Sequence, residues 1–137
     1  MGTSWSFTNE SLPEELRQMI KGIAFTGSSV TDMKRARAFY ENVLGLNPSE
    51  EMAGGKWIEY EVGGGTFAIT NIDPEWTPSD QGTAIAFEVD DMDVTIGKLK
   101  KSGAKFFLDK SETPVCWTAI IYDPDRNKVV IHKRKAG

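Results

Sequence analysis

The chain has 137 residues, 39% of them hydrophobic, 26% charged and 10% aromatic, proportions that suit one compact domain and exclude a disordered or membrane-embedded chain. A formal net charge of −4 and a pI near 5.0 argue against nucleic acid or an anionic membrane surface as partner. Cys116 is the only cysteine, so no internal disulfide can form and a reducing, cytoplasmic setting is expected.

In chain order, Met1 to Glu10 carries neither a basic nor an apolar leader segment, so no signal peptide is expected. Ser11-Leu12-Pro13-Glu14-Glu15 predicts a short helix to about Ile20, with Ser11 as cap and Pro13 in the first turn. Residues 1–19 thus read as an extension, and residues 20–137 as a single domain.

An internal repeat begins after Ile20. Ile23-Ala24-Phe25 precedes Val30-Thr31-Asp32-Met33, and Ile85-Ala86-Phe87 precedes Val89-Asp90-Asp91-Met92; the two triplets lie 62 residues apart, at 23 and 85. In the first copy Thr31 or Asp32 caps a helix carrying Met33, Ala36, Phe39, Tyr40 and Val43, ended by Gly45. In the second, Asp91 caps Met92, Ile96 and Leu99, ended by Gly103. Strands are predicted over 56–62 and 66–71, joined by Gly63-Gly64-Gly65, and over 105–108, 115–122 and 128–132, with Asp123 to Asn127 as a turn. Two modules, about 20–75 and 80–134, each run strand, helix, strand meander.

Alternation divides the strands into two faces. Ile58, Tyr60, Val62, Phe67, Ile69, Ile85, Phe87, Val89, Val129 and Ile131 should pack under the helices. Phe25, Gly27, Trp57, Glu59, Glu61, Thr66, Ala68, Thr70, Ala84, Ala86, Glu88, Lys128, Val130 and His132 fall on the other face. Small residues in mid-strand leave room, so this face reads as the lining of a cup rather than a solvated surface.

Three segments in order resemble the vicinal-oxygen-chelate superfamily, the glyoxalase, bleomycin-resistance and extradiol-dioxygenase group. They are Val30-Thr31-Asp32-Met33-Lys34-Arg35-Ala36-Arg37-Ala38-Phe39-Tyr40-Glu41-Asn42-Val43-Leu44-Gly45-Leu46, Ala84-Ile85-Ala86-Phe87-Glu88-Val89-Asp90-Asp91-Met92-Asp93, and Asp123-Pro124-Asp125-Arg126-Asn127, where Arg126 replaces the usual glycine. The resemblance implies an α+β fold of two βαβββ modules forming a curved mixed sheet around a cup, and a homodimer.

In metal-dependent relatives two His and two Glu hold a divalent ion; the matching positions here are Phe25, Ala68 (or Thr70), Ala84 and Val130. None but Thr70 carries a donor, so no metal and no cofactor are expected. His132, the lone histidine, reads as a rim hydrogen-bonding group or a solvated residue, and less readily as part of a displaced metal site with Glu59, Glu61 or Glu88. Cys116 and Ser28-Ser29 have no histidine at a motif spacing, so nucleophilic catalysis is not expected. Glu59 and Glu61 share a face and read as solvated or lysine-paired; Gly63-Gly64-Gly65 opens no helix and is no phosphate loop. The expected function is metal-free binding of an aromatic or cationic organic molecule, with Phe25, Trp57, Glu59, Ala68, Ala84, Trp117, Val130 and His132 as binding residues. The alternative is a lyase, isomerase or dioxygenase of the same superfamily, using a relocated metal or metal-free acid–base chemistry.

Overall fold

The computed structural model describes residues 8–11, 13, 14, 19–21 and 23–136. Half of the helix expected over 11–20 lies outside the described residues; Asn9–Ser11 forms a single 3₁₀ turn.

Each half builds one four-stranded mixed sheet. The first contains β1 (Thr26–Ser29), β2 (Pro48–Met52), β3 (Trp57–Val62) and β4 (Gly65–Thr70), in the order β1-β4-β3-β2. The second contains β5 (Ile85–Glu88), β6 (Lys105–Glu112), β7 (Cys116–Tyr122) and β8 (Lys128–Arg134), in the matching order β5-β8-β7-β6. β1 runs parallel to β4 and β5 parallel to β8; the other pairs are antiparallel.

The helices occupy equivalent places. α1 (Met33–Arg37) starts where the Asp32 carboxylate accepts from Arg35 N at 3.0 Å, and α2 (Met92–Lys101) where Asp91 accepts from Val94 N at 3.0 Å. α1 continues into a wider π-type turn, Ala38–Val43, which brings Phe39 and Tyr40 into the core. The two caps lie 59 residues apart, at 32 and 91, and so do the strand ends Ser29 and Glu88. This corrects the triplet alignment: Ile85-Ala86-Phe87 corresponds to Thr26-Gly27-Ser28, because cap position is fixed by hydrogen bonding whereas an apolar triplet can recur in a neighbouring register.

β2 has no counterpart among the strands expected from the sequence. All five of its residues are exposed, so it bears no alternation; its ladder runs to β3 only, and Arg37 of α1 pairs with Glu51 at 3.0 Å. β6 runs past the expected Leu108 into the polar stretch Asp109 to Glu112, with register shifts on either side of Leu108.

The helix-side faces of both sheets share one core. Ile58, Tyr60, Phe67 and Ile69 from the first meet Phe87, Ala119, Ile121, Val129 and Ile131 from the second, and the Phe67 and Phe87 rings pack edge-to-face with centroids 5.5 Å apart. A polar clamp joins the modules at one end. Tyr40 donates to Asp123 Oδ2 at 2.8 Å, and Asn127 Nδ2 donates both to Asp123 Oδ2 at 2.8 Å and to the Ser29 carbonyl at 2.9 Å. Asp125 caps the same junction, accepting from Thr31 and from Arg35 Nη2 at 2.9 Å. Among the described residues no helix is long and apolar enough to cross a membrane.

Candidate functional site

With the helix-side faces turned toward a common core, the opposite faces lie on the outside of the module pair, each an open half-cup. On the first, ladder register aligns Gly27, Ala68 and Glu59 in one row, and Ser29, Thr70 and Trp57 in the next. Phe25 precedes β1 and packs against Trp57 in an edge-to-face pair with centroids 5.1 Å apart. Trp76, from the loop after β4, lies on Gly27: a Cβ there would stand 3.0 Å from Trp76 Cη2 and 3.6 Å from Phe25 Cε2. Ser29 Oγ donates to the Trp76 carbonyl and anchors that loop.

The small residues therefore do what the sequence suggests, but the room they leave is taken by the chain's own rings. Ala68 is fully buried, whereas Phe25 and Trp76 remain 45% and 40% exposed, so an aromatic floor faces outward. Trp57 Nε1 donates to Glu59 Oε2 at 2.9 Å, and Thr66 Oγ1 to Glu61 Oε1 at 2.7 Å. The two carboxylates are thus held by separate neutral donors rather than by lysines, and both stay on the aromatic face.

On the second half-cup, Ala86, Val130 and Ile120 form an apolar row, and Glu88, His132 and Thr118 a polar one. Ala84 is exposed just before β5. His132 Nδ1 lies 2.5 Å from Glu88 Oε1, and Glu88 Oε2 accepts from Arg134 N at 2.7 Å. The hydrogen bond to Glu88 pushes the imidazole above its usual pKa, while the Arg134 N–H and then His132 hold Glu88 below the usual carboxylate range. Cys116, which has no histidine at a motif spacing in the sequence, lies on this same face, one diagonal step across the ladder from His132. The two are far apart in sequence, and only the antiparallel register of β7 and β8 joins them.

The expected binding residues thus fall into two groups. Phe25, Trp57, Glu59 and Ala68 come together on the first half-cup; Ala84, Val130 and His132 belong to the second. Trp117 joins neither, because its parity follows Ala119 rather than Thr118, and it packs beside the core under Lys110 and Lys135.

The side chains at the four ligand positions do not fit a divalent metal: phenylalanine, alanine, alanine and valine offer no donor. The Thr70 hydroxyl is also engaged, donating to the Lys56 carbonyl at 2.7 Å and accepting from Ile72 N at 3.1 Å. His132 meets Glu88 rather than Glu59 or Glu61, and no group of three or more His, Cys, Asp or Glu among the described residues is arranged to hold a metal. Between the modules, the β3–β4 turn and the β5 edge flank a cleft of about 540 Å³, bordered by Val62, Phe67, Ala86 and Glu88.

The profile of the Glyoxalase/Bleomycin resistance protein/Dioxygenase superfamily matches residues 22–131. The chain belongs to this superfamily. Its fold is shared with solved structures of low sequence identity. TnmS3, an antibiotic binding protein from Streptomyces sp. CB03234, superposes with a TM-score of 0.73 at 21% identity, over 85% of this chain and 98% of that one. A glyoxalase/dioxygenase from Nostoc punctiforme gives 0.72 at 20% identity, over 87% and 94%. Lactoylglutathione lyase from Agrobacterium tumefaciens gives 0.67 at 18% identity, over 83% and 94%. No curated protein matches the chain. Within the superfamily Arg126 retains the glycine-type turn, with φ +67°, its guanidinium 4.3 Å above the Tyr122 ring and 3.4 Å from Asp80.

Proposed function

We propose that the protein is a metal-free superfamily member that binds a planar aromatic cation, working as a homodimer in which the first half-cup of one copy closes over the second half-cup of its partner. The observation that carries this reading is the outward-facing aromatic floor of Phe25, Trp57 and Trp76, with Glu59 and Glu61 on the same face. Ring faces attract cations and stack on planar systems, and neighbouring carboxylates add negative potential. Donor-free side chains at all four ligand positions favour binding over metal-assisted catalysis. The likeness to an antibiotic binding protein supports a small-molecule ligand. A lone thiol suits a cytoplasmic setting.

Calorimetry with ethidium as the probe tests the reading. Saturable binding is expected, weakened roughly tenfold by Trp57→Ala, which corresponds to about 1.4 kcal/mol of stacking and cation–π attraction. Sedimentation should report a dimer. Absence of saturable binding, or a Trp57→Ala protein that binds as well as the parent, refutes the ligand class. One tightly held metal per chain, lost on His132→Ala, refutes the metal-free reading.

A further inference from the structure

The second half-cup holds a cluster that the binding reading leaves unused. Cys116 opens β7 on the open face, directly across from Arg134 and one diagonal step from His132. Two hydroxyls flank its sulfur, Thr113 Oγ1 at 3.2 Å and Thr118 Oγ1 at 3.5 Å. Thr113 Oγ1 already accepts from Cys116 N at 3.0 Å and Val115 N at 3.2 Å, so its own proton points outward, to the sulfur or to the Cys116 carbonyl. The imidazole of His132 adjoins it from β8, on the same face and across from Thr118. Two hydroxyls and a neighbouring imidazole thus surround an atom that accepts weakly as a thiol and strongly as a thiolate.

Behind the sulfur, the histidine is itself fixed. Glu88 takes the Arg134 N–H on one oxygen and His132 Nδ1 on the other, so Nδ1 is committed to the carboxylate and Nε2 is the ring nitrogen left for proton exchange. This is a nucleophile, a base and a group that orients the base, in the order such sites require.

We propose that Cys116, His132 and Glu88 form a nucleophilic triad that captures soft electrophiles, specifically α,β-unsaturated carbonyl compounds, as thioether adducts. His132 Nε2 takes the thiol proton, and the sulfur adds to the β-carbon. The S–C bond forms as the C=C pair shifts toward the carbonyl, and His132 returns the proton to the α-carbon. All atoms of both partners end in one neutral adduct, and nothing is oxidised or reduced. Cys116 is the reacting group; His132 exchanges its proton, and Glu88 is a positioning residue. The inference holds whether or not the aromatic half-cup binds a cation.

The charged groups facing the sulfur are His132 and Arg134 on β8 and Glu88 on β5; Glu112, at the end of the adjoining β6, is already paired with Lys135. The Cys116 pKa lies below the usual thiol value, lowered first by the Thr113 hydroxyl, then by Thr118, with His132 adding to them.

The test is the rate of N-ethylmaleimide addition, followed by intact-protein mass across pH 5–9, for the parent, His132→Gln and Glu88→Gln; with one cysteine per chain, every adduct reports Cys116. An ordinary thiol has its midpoint near pH ~8.5. Each unit by which the midpoint falls raises the thiolate fraction at about pH 6 tenfold, while reactivity per thiolate drops about threefold, so a net gain of roughly threefold is expected. The parent midpoint should lie below the ordinary value. His132→Gln should raise it and slow addition at about pH 6 by roughly threefold or more, and Glu88→Gln should shift it in the same direction by less. A crevice that merely shields the sulfur would change rates without moving the midpoint. Equal midpoints in parent and His132→Gln, or a parent rate no higher than that of glutathione at the same pH, overturn the proposal. If His132→Gln does not fold, Glu88→Gln and Thr118→Val decide it, an unmoved midpoint in both being the overturning result.

Discussion

Replacing Tyr40 with phenylalanine removes one hydroxyl from the most deeply buried charged group in the clamp. Asp123 is 4% exposed, and its carboxylate accepts four hydrogen bonds, each at 2.8 Å: from Tyr40 and Asn127 Nδ2 on one oxygen, and from the Asp125 and Asn127 backbone N–H groups on the other. Tyr→Phe takes away one of the four and adds no volume. A hydrogen bond to a charged group contributes about 1.5–3 kcal/mol, and a domain of this length loses roughly 3–4 °C of Tm per kcal/mol, so the expected drop is roughly 5–12 °C. The pH dependence has a definite sign. Burial raises the Asp123 pKa, and the bonds from Asn127 and Tyr40 pull it back. A carboxylate whose folded pKa exceeds its unfolded one binds protons more tightly when folded. Its ionisation therefore costs stability progressively as pH rises from the unfolded value through the raised folded value. Loss of the Tyr40 hydroxyl raises the folded value further, so the Tyr40→Phe penalty should be larger at about pH 7.5 than at about pH 4. Thermal melts by circular dichroism at both pH values measure it. Tyr60→Phe is the control: its hydroxyl donates to Glu41 at 2.8 Å, but that carboxylate is more exposed and also holds Arg37, so its loss should cost less. A Tyr40→Phe drop below about 1 °C, or one equal at both pH values, would refute the argument, since it requires a buried ionised carboxylate that depends on this donor.

Three further outcomes follow from other sites. Gly27→Val should push Trp76 off the first half-cup, because even a Cβ meets its ring at 3.0 Å; the signature is a change in tryptophan emission and weaker ethidium binding, and unchanged emission would contradict the packing. Since His132 is the lone histidine, NMR titration reports it alone: its midpoint should lie above ~6.5 and fall in Glu88→Gln. The stabilisation from the Glu88 pair should accordingly be complete below that unfolded value and fade as pH rises through the folded one. Arg126 combines left-handed backbone with cation–π and ionic contacts, so Arg126→Ala, which keeps the strain and loses the contacts, should be less stable than Arg126→Gly by about 1 kcal/mol in chemical denaturation. Equal stability of those two variants would mean that the turn is unstrained.

Most of the scaffold is legible in the sequence because its signals are local. Asp32 and Asp91 cap helices where expected, and alternation in β3, β4, β5 and β8 assigns the correct faces, so the residue pattern alone puts Trp57, Glu59 and Ala68 together. β2 leaves no such trace, because a strand exposed on both sides has no reason to alternate. The departures at the site are long-range. Nothing near Gly27 announces that Trp76 will lie on it, and nothing near Cys116 announces His132. Trp117 turns on one register: its aromatic character suggests a ligand contact, whereas a single-residue shift in parity decides the face. Even the absent metal donors are legible only as residue types, and the engagement of the Thr70 hydroxyl depends on hydrogen bonds made in the folded chain.

The clamp at Asp123 also breaks the symmetry of the duplicated fold. In the second half the hairpin turn is rich in polar side chains, and Asp123 and Asn127 plug the junction with the first half, satisfying its Tyr40 hydroxyl and Ser29 carbonyl. The matching turn of the first half is Gly63-Gly64, which has no side chain to offer in return, and there the modules leave the cleft of about 540 Å³. One pole of the molecule is riveted and the other gapes. Fluctuations that separate the halves should thus hinge at the Asp123 pole and open widest beside Glu88, which borders that gap.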